Sequence, residues 1–471
     1  MVVVTMDEEP PAEAFEPQPQ EPDGGGRLRR RMSIAVTLVL VASLIVLAAI
    51  EGGGLIIRDE RDVVTPPPAP ARIAAVDAAG ALTTIDDQGT PAVPYPVPGV
   101  TFQFPAWSPD GSRIAAIGTG PAGTGVYLFA ARTASQKAID PIVVYDSADH
   151  PPFYLYWAPD GGQLTFLTTE PDGIALRIVA ANEGAADSIV RAGAPMYWDF
   201  VDAGRLLVHS GAGGQDAFLG EVALNGAPFA ETERSSGVFR APAVSADGRF
   251  RAYLATGDGT GEVVLESRNG GSTKRVRVFG PAALSFGRTG ELAFVAPDQP
   301  NSGNIPLPVG PLRLTDPNTM ETRTLLDGSV VAFFWSPTGK AIAVLRLADT
   351  ENPVTEASRD SGAILARAKA STQEAAAQEA AAGLSLRLAF VDVGTGSIRS
   401  ERVVRISDLF VNQLLPFFDQ YALSHRVWSP DGAAIVLPVV GDGDVTQLSM
   451  IPADGSTARV IARGEMGFWS P

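Results

Sequence analysis

The side chains that most often perform catalysis or bind metal ions are scarce in this sequence of 471 residues. The chain contains no cysteine, and its three histidines, His150, His209 and His425, are far apart and form no H-x-x-x-H pair. A zinc site built from histidine and cysteine is therefore not expected. No G-x-S-x-G motif is present, so the nucleophile turn of an α/β-hydrolase is missing as well. We expect neither a metal ion nor a cofactor.

One segment, residues 408–428, concentrates aromatic and polar side chains immediately before a tryptophan. The candidate residues for binding a partner or ligand are Phe417, Phe418, Asp419, Gln420, Tyr421, Ser424 and His425. Two interpretations are open at this point. The segment forms a binding surface, or it is a loop helix whose aromatic side chains fill the interior of the fold.

A sequence repeat predicts the elements that position this segment. The pentapeptide W-S-P-D-G occupies residues 107–111 and 428–432, W-A-P-D-G occupies 157–161, and W-S-P-T-G occupies 335–339. Weaker copies begin at Val244 and Phe286, a further unit retains only Trp198, and the chain ends on W-S-P. The repeat residues for which we expect a structural role are Trp107, Asp110, Trp157, Asp160, Trp335, Trp428, Asp431 and Trp469.

The spacing of these units indicates a β-propeller. Successive aromatic positions lie 41 to 50 residues apart, except for one interval of 93. This period is typical of a four-stranded propeller blade. The Ser-Pro-Asp-Gly sequence suits a type I turn, and short β-rich runs follow each motif. We therefore predict an all-β propeller over residues 72–471, with tryptophan between blades.

The two ends of this region are expected to form one blade together. The last run, residues 464–469, lacks strands after it, and the runs at 72–77 and 81–86 lack an inner partner. Pairing them removes two exposed sheet edges. Counting this shared blade together with the other repeat units predicts eight blades, with seven as the alternative if the Trp198 unit is irregular.

The repeat resembles that of the TolB-like bacterial β-propellers, which carry W-S-P-D-G at the turn that leaves the inner strand. The resemblance extends over residues 72–471 and is weakest in the units at Trp198, Val244 and Phe286. It implies a propeller whose faces bind proteins or small ligands. It implies no reaction.

The long interval between Trp335 and Trp428 contains an insertion, residues 355–383. Its second half is rich in alanine and ends at Gly383, a pattern typical of a helix with a glycine C-cap. The few large apolar residues make no stripe, so the helix is expected to project from the rim. It is either a solvated insertion or an arm that binds a partner.

The N-terminal region predicts a membrane anchor. Residues 1–32 form an acidic, proline-rich tail with a basic end, residues 33–50 are uncharged and apolar, and residues 51–71 form a proline-rich linker. An apolar run of this length suits a transmembrane helix, and the preceding arginines place the tail in the cytoplasm. A cleaved signal peptide is the alternative. Both interpretations export the propeller from the cytoplasm.

Composition narrows the function. The net charge of −17 and the sequence pI near 4.7 argue against binding to nucleic acid, which requires basic patches. We expect a single-pass protein of the bacterial cell envelope whose propeller is a non-catalytic scaffold, adaptor or sensor for an envelope or membrane protein. One alternative is a module that binds a glycan or peptide in the axial channel. The other is a hydrolase or lyase that uses channel carboxylates and His425.

Overall fold

The computed structural model describes residues 71–211, 218–233, 241–256, 261–300, 307–347 and 384–471. The predicted tail (1–32), membrane helix (33–50) and helical insertion (355–383) lie outside these residues, as does the linker (51–71) up to residue 70. Among the described residues, no helix has both the length and the apolar character needed to cross a bilayer.

The described chain is built almost entirely of antiparallel β-sheet. Its sheets comprise five of four strands each and one of ten. With strands given in spatial order, the first sheet contains β3 (Val93–Pro94), β2 (Leu82–Ile85), β1 (Ile73–Val76) and β30 (Met466–Trp469), and the second contains β4 (Thr101–Trp107), β5 (Arg113–Gly120), β6 (Gly123–Ala130) and β7 (Ile142–Ser147). The third contains β11 (Ser188–Ala192), β10 (Gly173–Ala180), β9 (Gln163–Glu170) and β8 (Pro152–Trp157), and the fourth contains β12 (Met196–Asp202), β13 (Arg205–Ser210), β14 (Phe218–Ala223) and β15 (Pro228–Glu233). The fifth contains β16 (Ala243–Val244), β17 (Phe250–Thr256), β18 (Gly261–Ser267) and β19 (Thr273–Val278).

The ten-stranded sheet continues the same pattern without a break. Its strands are β20 (Ala283–Phe286), β21 (Leu292–Val295), β22 (Gly310–Thr315), β23 (Thr322–Trp335), β24 (Ala341–Arg346), β25 (Leu384–Asp392), β26 (Ile398–Ile406), β27 (Ala434–Val440), β28 (Thr446–Pro452) and β29 (Arg459–Arg463). The first half of β23 pairs with β22 and its second half pairs with β24. One long strand thus ends one four-stranded unit and begins the next.

The last unit of this sheet is entered through short helical turns. These turns are a π-helical turn (Phe410–Leu414), a 3-10 turn (Leu415–Phe417) and the helix α1 (Phe418–Tyr421), and a further 3-10 turn (Asp442–Asp444) follows β27. Trp428 then forms an isolated bridge with Ile435 of β27, while β26 touches β27 through one residue pair, Ile406 and Val439.

The two ends of the described domain join in one sheet. β30 pairs with β1, so that Trp469 lies opposite Ile73 and Met466 lies opposite Val76. The first strands of neighbouring sheets contact one another, β30 with β4, β4 with β8, β12 with β16 and β16 with β20. Sequential four-stranded sheets whose first strands converge and whose ends close by strand pairing form a β-propeller, as the repeat predicts.

The sheets are buried on both faces because each one packs between two neighbours. In β5, residues 114–118 are buried at every position, and β9 shows the same pattern over residues 164–168. This continuous burial explains why the inner runs of the repeat are apolar at consecutive positions rather than alternating.

The motif tryptophans link successive sheets. In each link the indole N–H donates a hydrogen bond to the carbonyl one residue before the motif aromatic of the preceding sheet. These bonds join Trp107 to Phe468 (3.0 Å), Trp157 to Ala106 (3.0 Å), Trp335 to Ser285 (3.2 Å) and Trp428 to Phe334 (2.9 Å). The tryptophan therefore both fills the gap between two sheets and pairs a polar group inside it.

The motif turn is held by its serine and aspartate. The backbone N–H of Gly111 donates to the Ser108 carbonyl (3.0 Å), which closes the turn. The Ser108 hydroxyl donates to Asp110 Oδ1 (2.6 Å), which also accepts the backbone N–H of Ser112 (3.0 Å). These bonds lower the pKa of Asp110 to about 2, the Ser108 hydroxyl being the largest cause. Ser429 with Asp431, and Ser245 with Asp247, repeat the same contact.

The register corrects the motif position in the fourth sheet. Trp107 pairs with Ile114, and Trp157 pairs with Leu164, the second residue of the following strand in each case. In the fourth sheet, the second residue of β13 is Leu206, and it pairs with Phe200 and not with Trp198. Trp198 lies two residues before the motif position, because this unit has a shorter turn.

Candidate functional site

The segment that concentrates aromatic residues lies at the centre of the ring of sheets. We call residues 408–425 the axial segment. Its side chains contact residues of the first strands β4, β8 and β12, the second half of β23, and β30. One segment near the end of the chain therefore touches sheets formed by residues hundreds of positions away.

Gln420 is the polar centre of these contacts. Its side-chain amide donates to the Trp198 carbonyl (2.9 Å) and to the Tyr154 hydroxyl (3.0 Å), and its Oε1 accepts the Trp198 N–H (3.2 Å). The Tyr154 hydroxyl in turn donates to the Gln420 carbonyl (2.7 Å). All three residues are buried. Gln420 thus pairs backbone groups of β12 that the sheet leaves open on its inner side.

The aromatic side chains of the axial segment pack against the inner strands. Tyr421 stacks on Phe104 with ring centroids 5.4 Å apart, and Phe418 meets Phe333 edge to face at 5.3 Å. Asp419 is also buried, and its Oδ1 accepts the backbone N–H of Gln420 (3.0 Å). Of the seven candidate residues, Phe417 alone is exposed, with 43% of its surface accessible.

Ser424 and His425 form a buried pair at the end of this segment. The Ser424 hydroxyl donates to His425 Nδ1 (2.6 Å), and His425 Nε2–H donates to the Phe104 carbonyl (3.3 Å). Burial lowers the pKa of His425 to about 4, although its hydrogen bonds to the backbone of Phe104 and Tyr421 oppose the shift. The imidazole is therefore neutral at pH 7. A backbone carbonyl orients it, rather than the carboxylate of a catalytic triad.

The stability contributed by His425 is expected to depend on pH. Because its folded pKa of about 4 lies below the ordinary value of 6.5, the contribution is complete above pH 6.5 and is lost as the pH falls towards 4. The free energy of unfolding of the wild type relative to His425→Gln should therefore fall by about 2 kcal/mol between pH 7 and about pH 4.5. Urea unfolding of both proteins at the two pH values measures this difference. A difference that does not change with pH would contradict the burial of a neutral imidazole.

A second buried titratable group lies on β12. Asp199 is 5% exposed and accepts hydrogen bonds from the Tyr156 hydroxyl (3.0 Å) and the Val244 N–H (2.8 Å). Burial raises the pKa of Asp199 to about 6, and these two bonds limit the rise. Its contribution to stability has the opposite sign to that of His425, because it is present at low pH and is lost as the pH rises through about 6. Both proteins in the His425 comparison keep Asp199, so its effect cancels.

A cavity of about 540 Å³ opens beside the axial segment. Its walls come from the motif turns and inner-strand ends of several sheets, and its floor comes from the end of the axial segment. The lining residues are Ala246, Ser285, Phe286, Arg288, Phe334, Trp335, Pro337, Ala422, Leu423, His425, Arg426, Val427, Trp428, Pro430, Ser470 and Pro471. We call this space the axial cavity. Of the seven candidate residues, only His425 lines it.

Sequence reasoning missed Arg426. The residue two positions before the motif aromatic is uncharged in the other units, for example Leu155, Leu284 and Phe333, but it is arginine before Trp428. This repeat position lies towards the centre of a propeller. Aligning the repeat units would therefore have shown Arg426 as the one charged residue at a position that can face a central ligand site.

No family model matches the chain, and no curated protein is significantly similar to it in sequence. Solved structures are similar at low identity. The dihydro-heme d1 dehydrogenase NirN in complex with DHE is 14% identical with a TM-score of 0.48, over 85% of this chain and 74% of that one. TolB from Acinetobacter baumannii is 14% identical with a TM-score of 0.36, over 85% and 81% of the two chains. An oligogalacturonate lyase in complex with manganese is 12% identical with a TM-score of 0.42, over 84% and 85%.

These similarities are to proteins of very different activities, and at such identities and TM-scores they assign no activity to this chain. The β-propeller fold rests on the strand order, the pairing of β1 with β30, and the convergence of the first strands.

Proposed function

We propose that this protein is a non-catalytic binding protein that takes a small ligand or a peptide segment in the axial cavity. The observation that carries the proposal is the cavity itself, about 540 Å³ in volume and lined by residues of several sheets. That volume lies within the range of ordinary ligand sites. The lining residues include the partly buried aromatics Phe286 and Trp335 together with a few polar residues, which is the usual composition of such a site.

The position of the polar groups supports binding without catalysis. Ser285 and Ser470 line the cavity, but no aspartate or glutamate is among the described residues that line it, so neither serine has a carboxylate base there. His425 lines it, but both ring nitrogens are engaged in hydrogen bonds within the protein. A substrate in the cavity would therefore meet no free base on the imidazole.

We further propose an arrangement of eight blades. Five four-stranded sheets and three consecutive units of the ten-stranded sheet support this count. The apolar residues 33–50 and the preceding arginines support a single-pass anchor with the propeller on the extracytoplasmic side of the cell membrane. In that position the cavity would face the cell envelope.

The role of a scaffold or adaptor for an envelope or membrane protein is a second candidate. Phe417 favours it, because this large aromatic side chain is exposed beside otherwise buried residues of the axial segment. Its ring lies near Tyr197, at a centroid distance of 6.3 Å. An exposed aromatic of this kind is typical of a contact point for a partner.

Blocking the cavity should abolish ligand binding without disturbing the fold. Ala246 lines the cavity, is exposed, and lies in the motif turn before β17, so Ala246→Trp places a large ring in the opening at little structural cost. We expect at least one member of a panel of peptides, glycans and small organic acids to raise the Tm of the wild type. The same ligand should not raise the Tm of Ala246→Trp.

The matched control is Ala78→Trp, which adds the same ring at an exposed turn between β1 and β2 that does not line the cavity. It should show the ligand-induced shift of the wild type. A shift retained in Ala246→Trp would place the ligand elsewhere and would exclude the axial cavity as its site.

A further inference from the structure

We propose that the ligand of the axial cavity carries a carboxylate or phosphate group and that Arg426 binds this group. The inference rests on the proposed function, since it names the chemical class of the ligand for the same cavity. It is carried by the charge of the cavity wall and by the surroundings of Arg426.

The cavity has a positive wall in an acidic protein. Among the described residues that line it, the two with a charged type of side chain are both arginines, Arg288 and Arg426, and no aspartate or glutamate accompanies them. The whole chain has a net charge of −17. A concave site lined by charge of one sign concentrates ligands of the opposite sign, so this wall selects anions against the general field of the protein.

Arg426 has no ionic or hydrogen-bonding partner for its side chain among the described residues. It is partly buried, and it forms no ion pair or side-chain hydrogen bond with another described residue. Burial lowers the pKa of Arg426, and the nearby Tyr156 hydroxyl opposes the shift. Other partly buried arginines are paired, as Arg268 is with Glu221 (2.8 Å) and Arg177 is with Asp187 (2.6 Å).

An unpaired, partly desolvated cation destabilises the folded state unless another group neutralises it. A bound anion would supply that group. Guanidinium also matches carboxylate and phosphate geometrically, because two parallel N–H groups can bind two oxygens.

The backbone around Arg426 is held firmly enough to present the side chain. The Trp469 N–H donates to the Arg426 carbonyl (2.8 Å), and Trp428 is anchored through its indole to the Phe334 carbonyl (2.9 Å). Arg426 itself lies in an irregular stretch between α1 and the bridge at Trp428, and these backbone and indole hydrogen bonds fix that stretch on both sides of it.

The rest of the cavity indicates the body of the ligand. Phe286 and Trp335 are the partly buried aromatic residues of the lining, and Pro337 and Pro430 add apolar residues from the motif turns. Such walls suit a ring or another compact apolar group. The class of ligand is therefore a compact, ring-bearing organic acid or phosphate ester.

The test uses benzoate and phenyl phosphate as anionic probes and benzamide as the neutral counterpart of benzoate. Binding to the full chain is followed by calorimetry and by tryptophan fluorescence, since Trp335 and Trp428 line the cavity. We expect at least one anion to bind more tightly than benzamide. Arg426→Gln should weaken that anion about 10- to 100-fold, and Arg426→Lys should weaken it less. Arg275→Gln, which removes one positive charge from the outer strand β19, should have no effect.

A second readout separates a binding role from a structural role. If Arg426 serves a ligand, ligand-free Arg426→Gln should have a Tm equal to or higher than that of the wild type, because an unpaired cation has been removed. A fall of several degrees would show that Arg426 stabilises the fold and would overturn the proposal.

Two results distinguish this proposal from the proposed function. If a neutral ligand loses its binding in Ala246→Trp while neither anion binds more tightly than benzamide, the cavity binds ligands and the assignment of an anion is wrong. If the anions bind equally well to the wild type and Ala246→Trp, they bind outside the cavity and both proposals fail. The assignment is also overturned if Arg426→Gln binds both anions as tightly as the wild type does, or if neither anion binds to the wild type at millimolar concentration.

Discussion

Replacing Phe418 with alanine is expected to lower the free energy of unfolding by about 3–5 kcal/mol. The Phe418 side chain is 1% exposed and packs against β23. Its ring centroid lies 5.3 Å from that of Phe333 and 5.8 Å from that of Phe334. Truncation removes this buried ring and leaves a void at the centre of the ring of sheets, where surrounding strands cannot collapse to fill it. The midpoint and slope of urea unfolding measure the loss.

Phe417 provides the matched control because it is the preceding residue, has the same side chain, and is 43% exposed. Phe417→Ala should change the free energy of unfolding by less than about 1 kcal/mol. Equal losses for the two variants would contradict the placement of the axial segment, since they would mean that both rings are buried or that neither is. A stable Phe417→Ala protein is also the variant with which to test the scaffold role, because loss of a partner could not then be attributed to unfolding.

Replacing Trp157 with alanine is expected to cost about 3–5 kcal/mol as well. Trp157 is 3% exposed, and its indole donates a hydrogen bond across the sheet boundary to the Ala106 carbonyl (3.0 Å). The Arg113 guanidinium lies over the ring, 4.9 Å from its centroid. The substitution therefore removes apolar contact, one buried hydrogen bond and one cation–π contact between two neighbouring sheets.

Two further variants separate these contributions. Trp157→Phe keeps most of the buried ring and loses the indole N–H, so it should cost about 1–2 kcal/mol. Trp335→Ala changes the same motif position in a unit where the tryptophan is only partly buried and its hydrogen bond is longer (3.2 Å), and it should cost less than Trp157→Ala. A cost for Trp157→Phe as large as that for Trp157→Ala would show that the hydrogen bond, and not packing, dominates the link between sheets.

The repeat made the architecture predictable because each unit is a local solution to the same packing problem. Within about 15 residues, a turn of Ser, Pro, Asp and Gly followed by an apolar run specifies where one strand ends and where the next begins. Turn preferences act over this short range, so they can be recognised in the sequence. The strands β5, β6, β9 and β10 lie where these runs predict them. The register of the Trp198 unit was harder, because its turn is shorter and the most conspicuous aromatic is not the one beside the turn.

The sequence drew attention to the axial segment but not to the axial cavity beside it. The sequence singled out residues 408–425 as unusual, and the structure brings them to the centre of the ring. Whether the aromatics formed a surface or filled the interior depended on contacts with Phe104, Tyr154 and Trp198, which lie more than 200 residues away in sequence. No local pattern reports such contacts. The same is true of the axial cavity, which is lined by residues from position 246 to position 471.

By itself the sequence determined that the chain repeats a β-rich unit, where its turns lie, and that its two ends can share a sheet. Those features follow from local backbone preferences and from the need to pair strand edges. The tertiary structure alone decided that Gln420, Phe418 and His425 are interior groups and that Arg426 lines a cavity where no described residue pairs with its side chain. The physical reason is that burial and charge pairing depend on which distant strands meet at the centre of the ring, and closure of the ring sets that arrangement.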